Sequence, residues 1–261
     1  MTGETAIFME KFMFKILLGI MLPFAGTVIG ALIVFLIKNS LNKKFEAVML
    51  GFSGGVMLAA SIWSLIIPAI ENSAHLGVLE FVPALVGLVL GFALMLFIGL
   101  LFKDKPEDGL PRFNGKMMFA VIVHNVPEGL AVGVALAGLY YGSVGLSVVS
   151  VLAVSLGIAI QNIPEGSIVS IPLWQACVSK QKAFWIGVLS GVVEPICAVL
   201  AFVVAGAVSQ VLPYMLAFAG GAMIFVVIDE IVPEAKRGGD VLSVVGFIVG
   251  FLLMMVLDVA F

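Results

Sequence analysis

Two hexapeptides in this chain carry the same set of polar side chains: HNVPEG at residues 124–129 and QNIPEG at residues 161–166. In the first, His124 and Asn125 lie four and three positions before Glu128, so all three side chains share one face of a helix. The second hexapeptide repeats this arrangement with Gln161, Asn162 and Glu165. The repeat therefore predicts two helix faces that each present a carboxylate and neutral nitrogen and oxygen groups.

Each hexapeptide also contains a proline, which bends a helix and leaves the carbonyl four residues earlier without its amide partner. Carboxylate, imidazole, amide and freed carbonyl groups on two adjacent helices indicate a cation site. One imidazole among several oxygens suits Zn²⁺, Fe²⁺ or Mn²⁺, whereas Mg²⁺ and Ca²⁺ are usually bound by oxygens alone. Amides are weak ligands, so the predicted affinity is moderate. Moderate affinity suits transport, because a carried ion must be released.

The amino-acid composition indicates whether these side chains lie in a water-soluble protein or in a membrane protein. Of the 261 residues 62% are hydrophobic and 11% are charged, against roughly 25% charged in soluble domains. The net charge of −3 provides no basic surface for nucleic acid. The two cysteines, Cys177 and Cys197, offer no disulfide framework. The sequence thus predicts an integral membrane protein.

Apolar runs long enough to cross a bilayer, about 20 residues each, divide the whole chain. We expect one all-α transmembrane domain over residues 1–261, with no soluble domain in its longest polar connection, from Lys103 to Lys116. The eight predicted spans are 16–37, 47–70, 80–102, 117–140, 146–173, 183–208, 211–232 and 241–261.

The basic residues predict the orientation of these spans. All but two of the 13 lysines and arginines fall in the connections after spans 1, 3, 5 and 7, the exceptions being Lys11 and Lys15. Because basic residues collect on the cytoplasmic side, those four connections should be cytoplasmic and both termini outside. The expected location is a cell membrane, either plasma or inner.

Acidic residues, in contrast, occur inside the predicted spans, where the sequence supplies no lysine or arginine to neutralise them. An ionised carboxylate at that depth is costly and marks a functional site by default. Three of the glutamates could share two divalent ions, with the two hexapeptide glutamates bridging. The acids concerned are Glu128, Glu165, Glu194, Asp229 and Glu230.

A second, weaker repeat links span 2 to span 7. GGVM at residues 54–57 is followed by Pro68, and GGAM at residues 220–223 is followed by Pro233. The predicted orientation makes spans 2 and 7 antiparallel, as it does spans 4 and 5. The chain is therefore expected to have a 3+2+3 inverted-repeat arrangement, an architecture of secondary transporters with a binding site near the membrane midplane.

Two other classes of function remain open from the residues. The segment GFSG around Ser53 resembles an intramembrane serine protease motif, with His124 as the available base, but no HExxH metalloprotease motif occurs. A proton-coupled carrier of an organic solute is the other alternative, with the glutamates as a proton relay. We expect a carrier and not an enzyme.

With HNVPEG in span 4, QNIPEG in span 5 and GVVEP in span 6, the sequence resembles the ZIP (Zrt-, Irt-like) metal transporters, and GGVMLAASIWSLIIPAIE in span 2 resembles their GufA-type branch. The resemblance covers essentially the whole chain. It implies import of divalent metal into the cytoplasm through a binuclear site, with zinc as the leading substrate and cadmium, manganese or iron as alternatives. It also implies a homodimer in which helices 1, 4, 5 and 6 move against helices 2, 3, 7 and 8.

The resemblance also assigns residues to the two metal sites and to the route. One site would comprise His124, Glu128, Gln161, Glu165 and Met57, and the other Asn125, Glu128, Asn162, Glu165 and Glu194. The external entrance would include Ser64 and Glu71, and the cytoplasmic exit Asp229 and Glu230.

The sequence departs from the family pattern in two places. Many members have histidine where this chain has Gln161, and an amide in that place weakens the preference for zinc. Many members also have a histidine-rich connection between helices 3 and 4. Residues 103–116 contain no histidine, so a metal-sensing loop is not expected there.

Overall fold

The computed structural model describes residues 3–37, 42–101, 115–141, 147–175, 179–207, 209–237 and 241–260. Within these ranges the chain forms helices joined by turns and contains no strand, which confirms the all-helical prediction. The main helices are α1 (Gly3–Leu36), α2 (Lys43–Ala60, continued by Ser61–Ile66 and Ile67–Glu71), α3 (Phe81–Leu101), α4 (Gly115–Tyr141), α5 (Val148–Gln175), α6 (Lys180–Gly191 and Val193–Ala207), α7 (Leu212–Val226, continued by Val227–Ile231 and Val232–Arg237) and α8 (Val241–Ala260).

Seven helices in the described part of the chain are long and apolar enough to cross a membrane, which confirms a multi-pass membrane protein. Many of their outer side chains are apolar and exposed, such as Leu85, Val89 and Phe97 on α3. The seven are Met13–Leu36, Lys43–Glu71, Phe81–Leu101, Val148–Ile171, Lys180–Ala205, Leu212–Arg237 and Val241–Ala260.

The predicted span 117–140 coincides with α4, which is helical from Gly115 to Tyr141. The side chains of residues 115–124 lie outside the described part of the chain, and so does most of the predicted connection 103–116. The seven apolar helices therefore establish the multi-pass class, and the count of eight spans stays a prediction.

Two helices widen into a π-helical turn partway along their length. The turn covers Ser61–Ile66 in α2 and Val227–Ile231 in α7, and each is followed closely by a proline, Pro68 or Pro233. A proline cannot donate to the carbonyl four residues before it, and a wider turn lets other amides rearrange around that carbonyl. The backbone is thus wound more widely at two places, and the sequence repeat between spans 2 and 7 relates these places to each other.

Helices α4 and α5 respond differently to their prolines. Each stays α-helical through Pro127 or Pro164, so the hexapeptides lie on continuous helices. The sixth helix is instead interrupted at Val192, two residues before Glu194 and three before Pro195. The turn there starts a new helical segment with Glu194 in its first turn, where a carboxylate interacts favourably with the helix dipole.

Glycines bring particular pairs of helices into backbone contact. A Cβ atom on Gly55 of α2 would overlap the carbonyl of Phe247 in α8, and one on Gly250 would overlap the carbonyl of Phe52 in α2. The absence of a side chain lets the two backbones approach, as is common between membrane helices. Glycines four residues apart, such as Gly246 and Gly250, therefore form a packing seam along one side of a helix.

Similar seams sort the helices into two groups. Helix α1 packs on α5 through Gly26, α4 packs on α6 through Gly133, and α6 meets α1 at Gly191. We call α1, α4, α5 and α6 bundle A. In the other group α3 packs on α7 through Gly91, and α7 meets α2 at Gly220. We call α2, α3, α7 and α8 bundle B.

Candidate metal centre

The carboxylate of Glu194 is buried among hydrogen-bond donors from three helices of bundle A. Thr27 of α1 donates to Oε1 at 2.9 Å, Asn125 of α4 donates to Oε1 at 3.2 Å, and Asn162 of α5 donates to Oε2 at 2.8 Å. All four side chains are at most 2% exposed. Such donors stabilise an ionised carboxylate in a place where water is excluded.

Glycine seams account for how these helices come close enough to share one carboxylate. A Cβ on Gly129 would overlap the carbonyl of Glu194, and one on Gly191 would press on the side chain of Thr27. The first contact brings α4 against α6, and the second brings α1 against α6. The glycine that ends HNVPEG is thus a packing residue, and it places Asn125 within reach of Glu194.

A second carboxylate–amide pair joins the two hexapeptides directly. Gln161 Nε2 donates to Glu128 Oε1 at 2.6 Å, and neither side chain has any exposed surface. Glutamine thus occupies this place in the motif as a hydrogen-bond donor to the first glutamate. A histidine would contribute a ring nitrogen there, which is the departure that the sequence had indicated.

The third carboxylate, Glu165, lies on the boundary between the bundles. Ser53 of α2 donates its hydroxyl hydrogen to Glu165 Oε1 at 2.9 Å. Ser53 is completely buried, and Glu165 is partly exposed. This side of the centre therefore combines a carboxylate from bundle A, a group that can bind a metal, with a hydroxyl from bundle B.

Three buried amide oxygens around these carboxylates have no hydrogen-bond partner among the residues that the structure describes. They are Asn125 Oδ1, Gln161 Oε1 and Asn162 Oδ1. Each amide turns its NH₂ group to a carboxylate, because an ionised carboxylate can only accept, and its oxygen is left facing elsewhere. A buried acceptor without a partner costs about 1–3 kcal/mol, and a bound cation would remove that cost. The donor set is thus mainly oxygen, with negative charge and neutral amides, and it fits a divalent cation.

The described side chains do not converge into one compact cluster of acids and histidines. Among them no group of three or more His, Cys, Asp or Glu side chains lies close enough together to hold an ion. The side chain of His124 lies outside the described part of the chain. Met57 is fully buried on α2. The structure therefore brings together the amide–carboxylate pairs of the predicted site.

The predicted entrance contains one residue that the sequence reasoning missed. Ser64 is buried, and its hydroxyl donates to Asp258 Oδ1 of α8 at 2.6 Å. Asp258 falls within the predicted eighth span, so the test applied to the other acids, a carboxylate in a span with no basic partner, would have found it. Glu71, Asp229 and Glu230 are all exposed.

Thr27 was also missed, and Ser53 was noticed in the sequence only as a candidate protease nucleophile. A single hydroxyl residue is common in membrane helices, and its usual role is a bond to its own backbone or to a neighbouring helix. Nothing in the local sequence predicts that the hydroxyl of Ser53 donates to Glu165, whereas that of Ser61 donates to the carbonyl of Met57 on the same helix. This difference in partners depends on the three-dimensional packing.

Comparison of the sequence with known proteins places this chain in a family. A family model described as ZIP zinc transporter matches residues 116–258. Zinc transporter ZIP11 of Xenopus tropicalis is 34% identical over 93% of this chain and 96% of its own length. Zinc transporter GufA of Myxococcus xanthus is 35% identical over 90% of this chain and 95% of its own. Zinc transporter ZIPB of Bordetella bronchiseptica is 34% identical, over 91% and 78%.

The family match covers the part of the chain that contains the carboxylates of the centre. The family match begins before HNVPEG and ends after Glu194, so it includes both hexapeptides and the third carboxylate. The curated relatives extend the similarity to nine-tenths of the chain or more. The chain therefore belongs to the ZIP zinc transporter family, and its similarity to GufA and ZIPB supports the GufA-type branch.

Proposed function

We propose that this protein carries a divalent metal ion, with zinc foremost, across the membrane into the cytoplasm by alternating access. The observation that carries the proposal is the set of three amide oxygens beside buried carboxylates that have no partner within the described part of the chain. The sequence supplies no lysine or arginine inside the predicted spans to neutralise those carboxylates. A transported cation would supply the missing charge and the missing partner at once.

In this proposal the centre holds two ions, with Glu128 and Glu165 bridging between them. The convergence of Asn125 and Asn162 on Glu194 supports one site, and the bond between Gln161 and Glu128 supports the other. The first site would contain His124, Glu128, Gln161, Glu165 and Met57, and the second Asn125, Glu128, Asn162, Glu165 and Glu194. Zinc is the leading substrate, and Cd²⁺, Mn²⁺ and Fe²⁺ are expected to compete, because amide and carboxylate oxygens are ligands that these ions also accept.

The route to and from the centre would use acidic residues at both ends. Ser64, Glu71 and Asp258 form the external entrance, where the half-buried carboxylate of Asp258 and the buried hydroxyl of Ser64 offer hard oxygen ligands. Asp229 and Glu230 form the cytoplasmic exit, on the π-helical turn of α7. Exposed acids concentrate cations near an opening, because opposite charges attract over about a Debye length.

The proposed architecture is eight spans in a 3+2+3 inverted repeat, with both termini outside in a plasma or inner membrane and two copies forming a homodimer. The two π-helical turns support the repeat. Each begins seven residues after the first glycine of its pair, at Ser61 after Gly54 and at Val227 after Gly220. Related positions in the two halves thus share a local distortion as well as sequence.

Alternating access would come from bundle A moving against bundle B. Among the described residues, the glycines that contact the backbone of another helix contact a helix of their own bundle. Gly157, in contrast, contacts the side chain of Met254 in the opposite bundle. The bundles would then move as units while the interface between them rearranges.

A carrier accounts for Ser53 better than a protease does. Its hydroxyl donates to Glu165 and has no exposed surface, whereas a serine nucleophile needs an open approach for a peptide. The carboxylate on the other side of that bond is one of the proposed metal ligands. We therefore propose that the protein is not an enzyme.

Uptake into liposomes tests the proposal. Purified protein in liposomes should take up Zn²⁺, with Cd²⁺, Mn²⁺ and Fe²⁺ compared at two pH values. The double variant Glu128→Ala/Glu165→Ala should reduce zinc uptake to the level of empty liposomes, because both bridging carboxylates are lost. Glu80→Ala removes an exposed carboxylate outside the centre and should transport normally.

Normal zinc uptake by the double variant would contradict the proposed centre. If the protein moved no divalent metal but moved protons in a way that depends on pH, that result would instead support a proton-coupled carrier of an organic solute. Folding of each variant is checked by size-exclusion profile and thermal midpoint before uptake is measured.

A further inference from the structure

Ser53 connects the two bundles at the proposed metal centre. It lies on α2 in bundle B, has no exposed surface, and donates to Glu165 Oε1 of α5 in bundle A at 2.9 Å. A hydrogen bond to a carboxylate is among the stronger kinds, because one partner is charged. This bond thus joins a proposed metal ligand to the bundle that does not carry it.

Both ends of this bond are anchored in glycine seams. Gly51 and Gly55, on either side of Ser53, bring α2 against the backbone of α8 at Ser243 and Phe247. Gly166, directly after Glu165, seats α5 against the backbone of α1 at Thr27. The Cα positions of Ser53 and Glu165 are therefore fixed within their own bundles, and a movement between the bundles must change the distance between them.

The donors to Glu194 behave differently under the same movement. Thr27, Asn125 and Asn162 all lie in bundle A with Glu194 itself. A rigid movement of bundle A leaves these three bonds intact. The Ser53–Glu165 bond, in contrast, can persist in only those arrangements that keep α2 and α5 in the present register.

We propose that Ser53 is a positioning residue that latches the bundles together through Glu165 while the centre is empty, and that the arriving cation releases the latch. This inference rests on the proposed function, because it takes Glu165 as a metal ligand. A cation bound to the carboxylate draws its negative charge away from the hydroxyl hydrogen and reorients the oxygens toward the metal. The bond to Ser53 then weakens, and movement between the bundles becomes possible when cargo is present.

The experiment compares the purified full-length protein and Ser53→Ala with and without saturating Zn²⁺, by thermal midpoint and by zinc titration. The variant should lower the midpoint of the zinc-free form and leave that of the zinc-saturated form unchanged. Its affinity for zinc should rise about 3- to 10-fold, the equivalent of one net hydrogen bond that no longer competes with the ion.

Ser61→Ala is the matched control, since Ser61 is equally buried on the same helix but donates to the backbone carbonyl of Met57 at 2.7 Å. It should leave zinc affinity unchanged. Ser53→Thr keeps the hydroxyl and should restore the behaviour of the natural protein. Ser53→Cys, a weaker donor of similar size, should shift both measurements in the direction of Ser53→Ala and serves if the alanine variant does not fold.

Three results would overturn the latch. Ser53→Ala could lower both midpoints equally, which is the result of a purely structural role. Zinc affinity could stay within the error of the natural protein, or Ser61→Ala could raise it as much as Ser53→Ala does. If the natural protein itself bound no zinc, the proposed function would fail, and that outcome is separate from a natural protein that binds zinc as tightly as Ser53→Ala does.

Discussion

Contacts inside each bundle differ from the contacts between the bundles in the atoms that meet. Inside bundle B, Gly55 seats its helix on the carbonyl of Phe247, and inside bundle A, Gly133 seats its helix on the carbonyl of Ala198. Between the bundles, Gly157 of α5 faces the thioether of Met254 and the side chain of Val56. The described glycines that meet the backbone of another helix do so within a bundle, whereas Gly157 meets side chains across the boundary.

This difference indicates where the molecule is rigid. Two backbones in contact cannot slide past each other without losing close packing, because neither has a side chain that can change rotamer. Methionine is unbranched and flexible, so it can follow a moving surface. The polar groups of the centre follow the same division, since Glu194 is held within bundle A and Glu165 is held across the boundary by Ser53.

The largest expected effect comes from breaking a seam inside a bundle. Gly55→Val places a branched side chain against the backbone of Phe247 and Phe251, where no rotamer can make room. We expect a loss of at least about 3 kcal/mol of stability and little folded protein in a size-exclusion profile. Gly99→Val is the control on α3, because a Cβ at Gly99 meets nothing within 4 Å. Equal recovery of both variants would contradict the rigid seam.

A change at the boundary between the bundles should affect transport more than folding. In Gly157→Ala the new methyl group presses on Met254, whose flexible end can move, so the expected stability cost is below about 1.5 kcal/mol. The initial rate of zinc uptake should fall several-fold, because the methyl group obstructs movement between α5 and α8. Gly19→Ala also presses on a side chain, that of Leu136 inside bundle A, although less closely, at 3.2 Å, than Gly157→Ala presses on Met254, and should leave the rate nearly unchanged. The same loss of rate in both variants would show that the boundary has no special role.

The spacing of polar residues in the sequence predicts which amides and carboxylates share a helix face. Helical periodicity places Asn125 on the same face as Glu128, and the duplication predicts a second such face on the neighbouring helix. The structure adds the pairing, in which Asn125 and Asn162 meet on Glu194 while Gln161 meets Glu128. Which amide faces which carboxylate depends on the packing of three helices, and no spacing within one helix contains that information.

The effect of the prolines was less predictable. Every helical proline removes one donor, so the sequence signal is the same at Pro68 of α2 and at Pro127 of α4. In the structure, α2 forms a wider π-helical turn before Pro68, whereas α4 stays a regular α-helix through Pro127. A freed carbonyl can be satisfied by a rearranged turn or by groups on neighbouring helices, and the choice depends on the tertiary surroundings. The sequence therefore locates the points of weakness and leaves their geometry open.

The smallest expected effect separates the two kinds of polar contact at the centre. Thr27→Val keeps the shape of the side chain and removes one of the three donors to Glu194, so the expected loss of stability is about 1–2 kcal/mol. Because Thr27 and Glu194 lie in the same bundle, their bond persists when the bundles move. The thermal midpoint should therefore fall by the same amount with and without zinc, and zinc affinity should stay within about twofold of the natural protein, which corresponds to only about 0.4 kcal/mol. A loss of stability confined to the zinc-free protein, as expected for Ser53→Ala, would mean that Thr27 also competes with the ion. In that case the distinction between contacts within and across the bundles would not extend to the polar groups of the centre.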